Sequence, residues 1–131
     1  MEEDKGRVVL RAVIKLPPVT KKNSQRIVRN HRTGQMFPIP SKAYQHYEAA
    51  AGYFLHGKGK RLSGRYNVKT VFYMSNRQRV DLSNLIEAIH DVLVHYEILA
   101  DDNYKIIASV DGSRVEVDRD HPRTEIEITE I

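Results

Sequence analysis

Carboxylates gather in the second half of the chain at the spacing of a candidate metal site. Asp81 begins an amphipathic stretch, Glu87 lies within it, and the pair Asp101-Asp102 follows eight residues after its end. Converging carboxylates repel one another unless a cation lies between them. Mg²⁺ accepts one or two carboxylates with water and phosphate oxygens, and it activates a bound water for attack on phosphorus. As a set these residues predict a magnesium site, although singly Asp81 could only cap a helix and Asp101-Asp102 could only form a turn.

Other kinds of metal site are excluded or unsupported. The chain has no cysteine, so a metal must be bound by oxygen or imidazole ligands. None of the six histidines has a partner at a recognisable ligand spacing, and we interpret all six as structural or surface residues. The lack of cysteine also excludes a disulfide framework and favours a reducing, cytoplasmic location. No apolar run approaches the ~20 residues of a membrane span, and the acidic start of the chain does not resemble a signal peptide.

Charge is strongly segregated along the 131 residues. Residues 1–80 carry 17 of the 21 lysines and arginines, whereas residues 81–131 carry 13 of the 17 acidic residues. One interpretation is that the two halves attract each other and form solvated faces. The other is that a basic surface neutralises phosphates beside an acidic, metal-binding pocket. Segregation alone does not decide between them.

Basic and amide side chains near the carboxylates could bind a phosphate backbone. Ammonium, guanidinium and amide groups are the usual donors to phosphate oxygens. One group follows the first predicted strand and the other directly precedes Asp81. The predicted DNA contacts are Lys21, Lys22, Asn23, Arg26, Arg29, Arg32, Arg77 and Arg79.

A helix over residues 80–93 must position these groups. Its apolar residues recur at three- and four-residue steps, which places them on one helix face. Ser83 is the predicted N-cap, because its hydroxyl can accept a hydrogen bond from an orphan N–H of the first turn. Asn84, Glu87 and Asp91 share the opposite face, where we interpret Asp91 as making a structural contact rather than binding metal.

The remaining elements predict an α/β (α+β) fold with a mixed sheet and two main helices, in a single domain over residues 1–131. A second helix starts at Ser41 as N-cap and stops near Gly57. Thr33-Gly34 is the predicted tip of a hairpin between Arg26–Arg29 and Gln35–Phe37. The predicted sheet strands are residues 8–16, 66–74, 104–110, 115–117 and 124–128. If strand 104–110 pairs beside strand 66–74, Asp81 and Asp101-Asp102 are expected to meet at one edge of the sheet.

The segment Asp81-Leu82-Ser83-Asn84-Leu85, its helix, and Asp101-Asp102 before a strand resemble the RusA-type Holliday-junction resolvases. Pro17-Pro18 with Lys22-Asn23-Ser24 is similar to the family's N-terminal pattern, and Ile126-Glu127-Ile128 to its final strand. The resemblance implies a RusA-like homodimer that cuts four-way or other branched DNA in recombination and repair, often encoded by phages or prophages. It implies Mg²⁺ as cofactor, with Mn²⁺ as a substitute. Asp81 and Asp102 match the catalytic metal ligands, and Asp101 and Glu87 are expected to assist.

Two positions depart from the family pattern of Asp-x-Asp-Asn followed by a lysine. Ser83 replaces the second aspartate, so it could bind a metal only weakly or through water, and Glu87 replaces the lysine. Glu87 or Asp101 could supply the missing carboxylate, and Lys105 or Arg79 the missing cation. The first alternative is therefore a RusA-like protein that binds branched DNA without cutting it. The second, from another class, is a basic structural or interaction protein with no nucleic-acid role.

Overall fold

Strand β4 (Tyr66–Met74) is the centre of a five-stranded mixed sheet. The computed structural model describes residues 6–21, 26–29, 31–39 and 42–131, of which 26–29 and 36–39 are described by their backbone alone. The other elements in chain order are β1 (Val8–Ile14), β2 (Arg26–Arg29), β3 (Met36–Ile39), α1 (Lys42–Leu55), α2 (Leu82–His95), β5 (Ile107–Ser109), β6 (Arg114–Val117) and β7 (Arg123–Glu130).

The sheet has antiparallel strands on one side of β4 and parallel strands on the other. β7 pairs antiparallel along β4, from Tyr66↔Glu130 to Tyr73↔Arg123, and β1 pairs antiparallel with β7 at the edge. On the other side β5 pairs parallel with the beginning of β4, and β6 pairs parallel with its end. β2 and β3 form a separate two-stranded antiparallel ribbon.

Both helices pack on the same face of this sheet. Alternate residues of the strands point inward, and they form one apolar cluster with the buried stripes of α1 and α2. The cluster includes Leu10, Ala12, Ile14, Tyr44, Tyr47, Ala51, Leu55, Val68, Phe72, Leu85, Ile89, Val92, Leu93, Ile126 and Ile128. The other face carries charged side chains such as Arg11, whose guanidinium lies 3.1 Å from the Glu127 carboxylate. The predicted α+β fold of one small domain, with a mixed sheet and two helices, is confirmed.

Helix α2 begins two residues earlier than the prediction of Ser83 as N-cap required. Its N-cap is Asp81, whose backbone is extended at φ −87° and ψ 127°, and Ser83 is the second residue of the helix. The prediction that Ser83 is the N-cap is therefore wrong. The amphipathic pattern located the helix, but Asp81 and Ser83 are both good capping residues, so residue type could not choose between them.

The boundaries of α1 and of the hairpin follow from glycines with positive φ. α1 ends at Leu55, and Gly57 follows at φ +78°, a left-handed conformation that glycine adopts without steric cost. Gly34, at φ +74°, lies in the turn between β2 and β3, as predicted. The predicted cap Ser41 lies outside the described residues.

The strand predicted over residues 104–110 is shorter in the structure. Only Ile107–Ser109 form β5, because the N–H groups of Ile106 and Ile107 both donate to the Asn103 carbonyl and close a turn instead. In the described parts of the chain, no helix is long and apolar enough to cross a lipid bilayer.

Candidate active site

Asp81 presents a carboxylate at the beginning of α2. Its backbone carbonyl accepts hydrogen bonds from the N–H groups of Asn84 and Leu85, at 3.1 and 3.2 Å, whereas its exposed side chain makes no capping hydrogen bond. The positive end of the helix dipole favours negative charge at this position. An exposed carboxylate free of a capping role has the oxygen donors that a hard divalent cation prefers.

Asp101 shapes the loop that carries Asp102. The carboxylate of Asp101 accepts a hydrogen bond from the Asp102 N–H at 2.7 Å and another from the Asn103 side-chain amide at 3.1 Å. Asn103 in turn accepts from the Lys105 N–H at 2.9 Å. The backbone hydrogen bond from Asp102 is the main reason that the pKa of Asp101 lies below its ordinary value. Asp101 thus organises the loop, while the side chain of Asp102 is exposed.

Asp102 opens onto a surface depression of about 460 Å³ between α1, α2 and the segment after β1. The ammonium of Lys21 lies 2.5 Å from a carboxylate oxygen of Asp91 there, and each of these side chains is only about 30% exposed. Lys21 also lies 5.6 Å from the centre of the Tyr44 ring. The depression is lined by Lys21, Tyr44, Gln45, Glu48, Asp91, Val94, His95 and Asp102.

Electrostatics in this region reflect burial and clustered carboxylates. Burial raises the pKa of the Tyr44 hydroxyl, and the charges of Glu48 and Asp91 raise it further. Burial also lowers the pKa of His90, although the charges of Asp102 and Asp91 oppose that shift. Among the described residues, the His90 Nε2 atom is buried without a hydrogen-bond partner. His90 is therefore neutral at neutral pH and close to both aspartates.

Sheet pairing does not by itself bring Asp81 to Asp102. The strand after Asp102 does pair with β4, but at the beginning of β4, whereas Asp81 follows the end of β4. Asp91, which shares the depression with Asp102, lies ten residues after Asp81, roughly 15 Å further along the helix axis. Within the described residues, no three His, Asp or Glu side chains converge as a metal-binding cluster.

The predicted DNA-contacting residues have different surroundings. Arg77 and Arg79 are exposed in the loop before Asp81 and line a depression of about 310 Å³ beside the end of β4 and β6. Arg32 is exposed in the turn of the hairpin, and Glu87 is exposed on α2. Lys21 is instead paired with Asp91. Lys22, Asn23 and the side chains of Arg26 and Arg29 lie outside the described residues.

The pairing of Lys21 with Asp91 was not identified from the sequence. The signal was present only in general form, because no acidic residue occurs from Lys5 to Tyr47, and the basic residues there can pair only with acids elsewhere in the chain or with a polyanion. Nothing in the pattern specified which acid would face which base. The expectation that Asp91 makes a structural contact agrees with this ion pair.

The chain matches the model of a known protein family. A family model described as endodeoxyribonuclease RusA matches residues 15–129, a range that contains Lys21, Asp81, Asp91 and Asp102. No curated protein matches the chain.

Proposed function

Because the chain belongs to the RusA endodeoxyribonuclease family, a family of Holliday-junction resolvases, we propose that it cuts four-way or other branched DNA as a Mg²⁺-dependent homodimer. The observation that carries this proposal is the family match over residues 15–129, which spans both candidate carboxylates. Cutting of such junctions is a step of DNA recombination and repair. We therefore propose that the protein acts in the cytoplasm, where it meets the DNA.

The carboxylates supply the proposed metal site. Asp81 and Asp102 are the proposed Mg²⁺ ligands, and Ser83 would contribute a hydroxyl, directly or through water. Because Asp81 lies roughly 15 Å along α2 from the depression of Asp102, one ion would join the two carboxylates only if they came from the two chains of the proposed homodimer. When bound, the ion supplies an activated water and charge stabilisation for hydrolysis of a phosphodiester. Asp101 holds the loop of Asp102 in place through its hydrogen bonds to Asp102 and Asn103. Glu87 lies one turn after Ser83 on the exposed side of α2 and adds negative charge near the helix start.

Basic side chains would hold the DNA backbone beside the carboxylates. Arg77 and Arg79 are exposed immediately before Asp81, so phosphates bound there lie next to the helix start. Arg32 would contact the backbone from the hairpin turn, together with Lys22, Asn23, Arg26 and Arg29. Contacts of this kind set the register of the duplex and make binding sensitive to salt.

A second candidate function is binding of branched DNA without cutting. The observation that favours it is Ser83, which is exposed in the first turn of α2 and brings a neutral hydroxyl instead of a carboxylate. Fewer carboxylates generally weaken a hard-cation site.

One experiment separates the candidates. Synthetic four-way junctions and a linear duplex of the same sequence are incubated with the protein in Mg²⁺, Mn²⁺ or EDTA. Cutting of the junction in Mg²⁺ or Mn²⁺, but not in EDTA, supports the resolvase. Tight junction binding with no cutting in either metal supports the binding protein instead. Equal affinity for junction and duplex, without cutting, would contradict both, and no salt-dependent binding at all would indicate a structural protein.

A further inference from the structure

A phosphate that approaches Asp102 would meet an excess of negative charge. The depression around Asp102 also contains the carboxylates of Asp91 and Glu48. His95 lies 4.0 Å from Glu48, and Lys21 pairs with Asp91. Among the described residues, the side chains that line the depression therefore bring three carboxylates and one lysine. Such a surface repels a phosphodiester unless that lysine offsets the repulsion.

We infer that Lys21 contacts the phosphate that is cut at Asp102, and that Asp91 is the positioning residue that holds the Lys21 ammonium in place. This inference rests on the proposed function. It assigns Lys21 to the reaction centre rather than to the general DNA-binding surface, where its place in a basic segment would put it.

The surroundings of Lys21 suit this role. An ammonium has three N–H donors, and Asp91 accepts one of them. The Tyr44 ring lies beside the ammonium and limits its freedom. Tyr44 itself is buried in the core, and its hydroxyl lies 3.4 Å from a Glu48 carboxylate oxygen and 3.5 Å from the Ala88 carbonyl. The remaining donors are available to the depression that Asp102 also lines. A flexible side chain is thus held at one point, which lowers the entropy lost when it binds a phosphate oxygen.

Two features separate this role from ordinary backbone binding. A charge aimed at the reacting phosphate stabilises the transition state more than the bound ground state, so its loss lowers kcat more than it raises the dissociation constant. A general phosphate contact instead weakens binding to all DNA and reduces the slope of log affinity against log salt by about one.

The test compares Lys21→Met, Lys21→Arg, Asp91→Asn and the double variant Lys21→Met/Asp91→Asn with the native protein on a four-way junction. Lys15→Met is the matched control, because Lys15 is exposed and lines a different depression, beside Asp118, Asp120 and Arg123. Single-turnover cutting, junction affinity in Ca²⁺ at several salt concentrations, and thermal unfolding are measured for each.

We expect Lys21→Met to cut roughly 100-fold more slowly, the usual loss for one transition-state donor, with junction affinity and salt slope nearly unchanged. Lys21→Arg should recover part of the rate, and Asp91→Asn should lose rate without losing affinity. The double variant should regain any stability lost through the unpaired Asp91 but should cut no faster than Lys21→Met.

Four outcomes overturn the inference. If Lys21→Met cuts at the native rate, Lys21 has no role in the reaction, although the proposed function stands. If its affinity and salt slope fall together with its rate, Lys21 is a general phosphate contact. If the double variant recovers cutting along with stability, the ion pair is structural only. If the native protein cuts no junction in Mg²⁺ or Mn²⁺, the proposed function is wrong, and so is the role of Lys21 that rests on it.

Discussion

At the scale of single residues, Asp81 and Asp102 can lose their charge without losing local structure. The Asp81 side chain makes no capping hydrogen bond, and the loop of Asp102 is held by Asp101. We expect Asp81→Asn and Asp102→Asn to abolish junction cutting, because each removes a proposed metal ligand. Junction binding should be unchanged or tighter, because less negative charge faces the phosphates. Asp111→Asn, in an exposed turn, is the control and should cut normally; a native rate in either site variant would remove that residue from the metal site.

Ser83 offers a gain-of-function test at the same scale. It is the second residue of α2, whose first turn contains no acidic residue. Ser83→Asp should therefore lower the Mg²⁺ concentration needed for half-maximal cutting, since carboxylate count strengthens a hard-cation site. A charge near the helix N-terminus should also leave stability unchanged or raise it by about 0.3–1 kcal/mol.

If Glu87 compensates for Ser83, Glu87→Gln should raise the Mg²⁺ requirement and the double variant should resemble the native protein. An unmoved metal titration in Ser83→Asp would place the metal elsewhere.

His90 predicts an acid-sensitive stability. Its pKa is lowered in the folded protein, mainly by burial, so the unfolded chain binds a proton at a pH where the folded protein does not. Neutral His90 contributes its full share to the free energy of unfolding above the pKa of the unfolded chain, about 6.5. This stability is lost as the pH falls through the lower pKa of the folded protein. We expect His90→Gln to flatten the decline of the melting temperature below pH 6.5. His56→Gln, which changes an exposed histidine at the end of α1, should leave that decline as it is.

At the scale of elements, the contact between α1 and α2 depends on the small size of Gly52. A Cβ atom at this position would lie 2.7 Å from the Tyr96 hydroxyl oxygen and 2.9 Å from its ring. That hydroxyl donates to the Glu48 carbonyl on α1 at 2.5 Å, and the Ala49 carbonyl shares the same hydrogen at 3.2 Å. Tyr96 thus ties the end of α2 to the middle of α1.

We expect Gly52→Ala to destabilise the protein by about 1–3 kcal/mol, because the overpacked ring must leave its hydrogen bonds. This outweighs the gain of about 1 kcal/mol that alanine gives inside a helix. In a Tyr96→Ala background the clash is absent, so the same substitution should be neutral or stabilising. Chemical denaturation of the four proteins measures the coupling, and additive effects would show that Gly52 and Tyr96 act independently.

Local patterns were sufficient for much of the fold. Alternation predicted β4 over Tyr66–Met74, and helical periodicity predicted the buried stripe of α2, because both depend on short-range geometry. The end at which β5 meets β4 depends on long-range packing, so the sequence did not predict it. The same holds for the site: the sequence identified Asp81 and Asp102 as residues of interest, but not Lys21 as the partner of Asp91. Many acids were available to that lysine, and only the tertiary structure selects one.

At the scale of the whole molecule, a junction with two symmetric strands to cut calls for two active sites. One chain of 15.1 kDa offers one Asp81 and one Asp102, whereas a two-fold homodimer presents two such sets in a symmetric arrangement. We expect light scattering to give about twice the chain mass, with one dimer bound per junction. A species of one chain mass in the presence of junction DNA would contradict the proposed dimer.

The pairing of the first strand with the last also governs the order in which the protein can fold during synthesis. Among the strands that the structure describes, β1 pairs only with β7, so Arg11 cannot meet Glu127 until 116 further residues have been synthesised. At a synthesis rate of about 5–20 residues per second, this takes roughly 6–23 seconds. During this time β1, with its apolar residues Leu10, Ala12 and Ile14, lacks the strand with which it pairs. The sheet is therefore incomplete until β7 has been synthesised, and the pairing of β1 with β7 is a late step of folding.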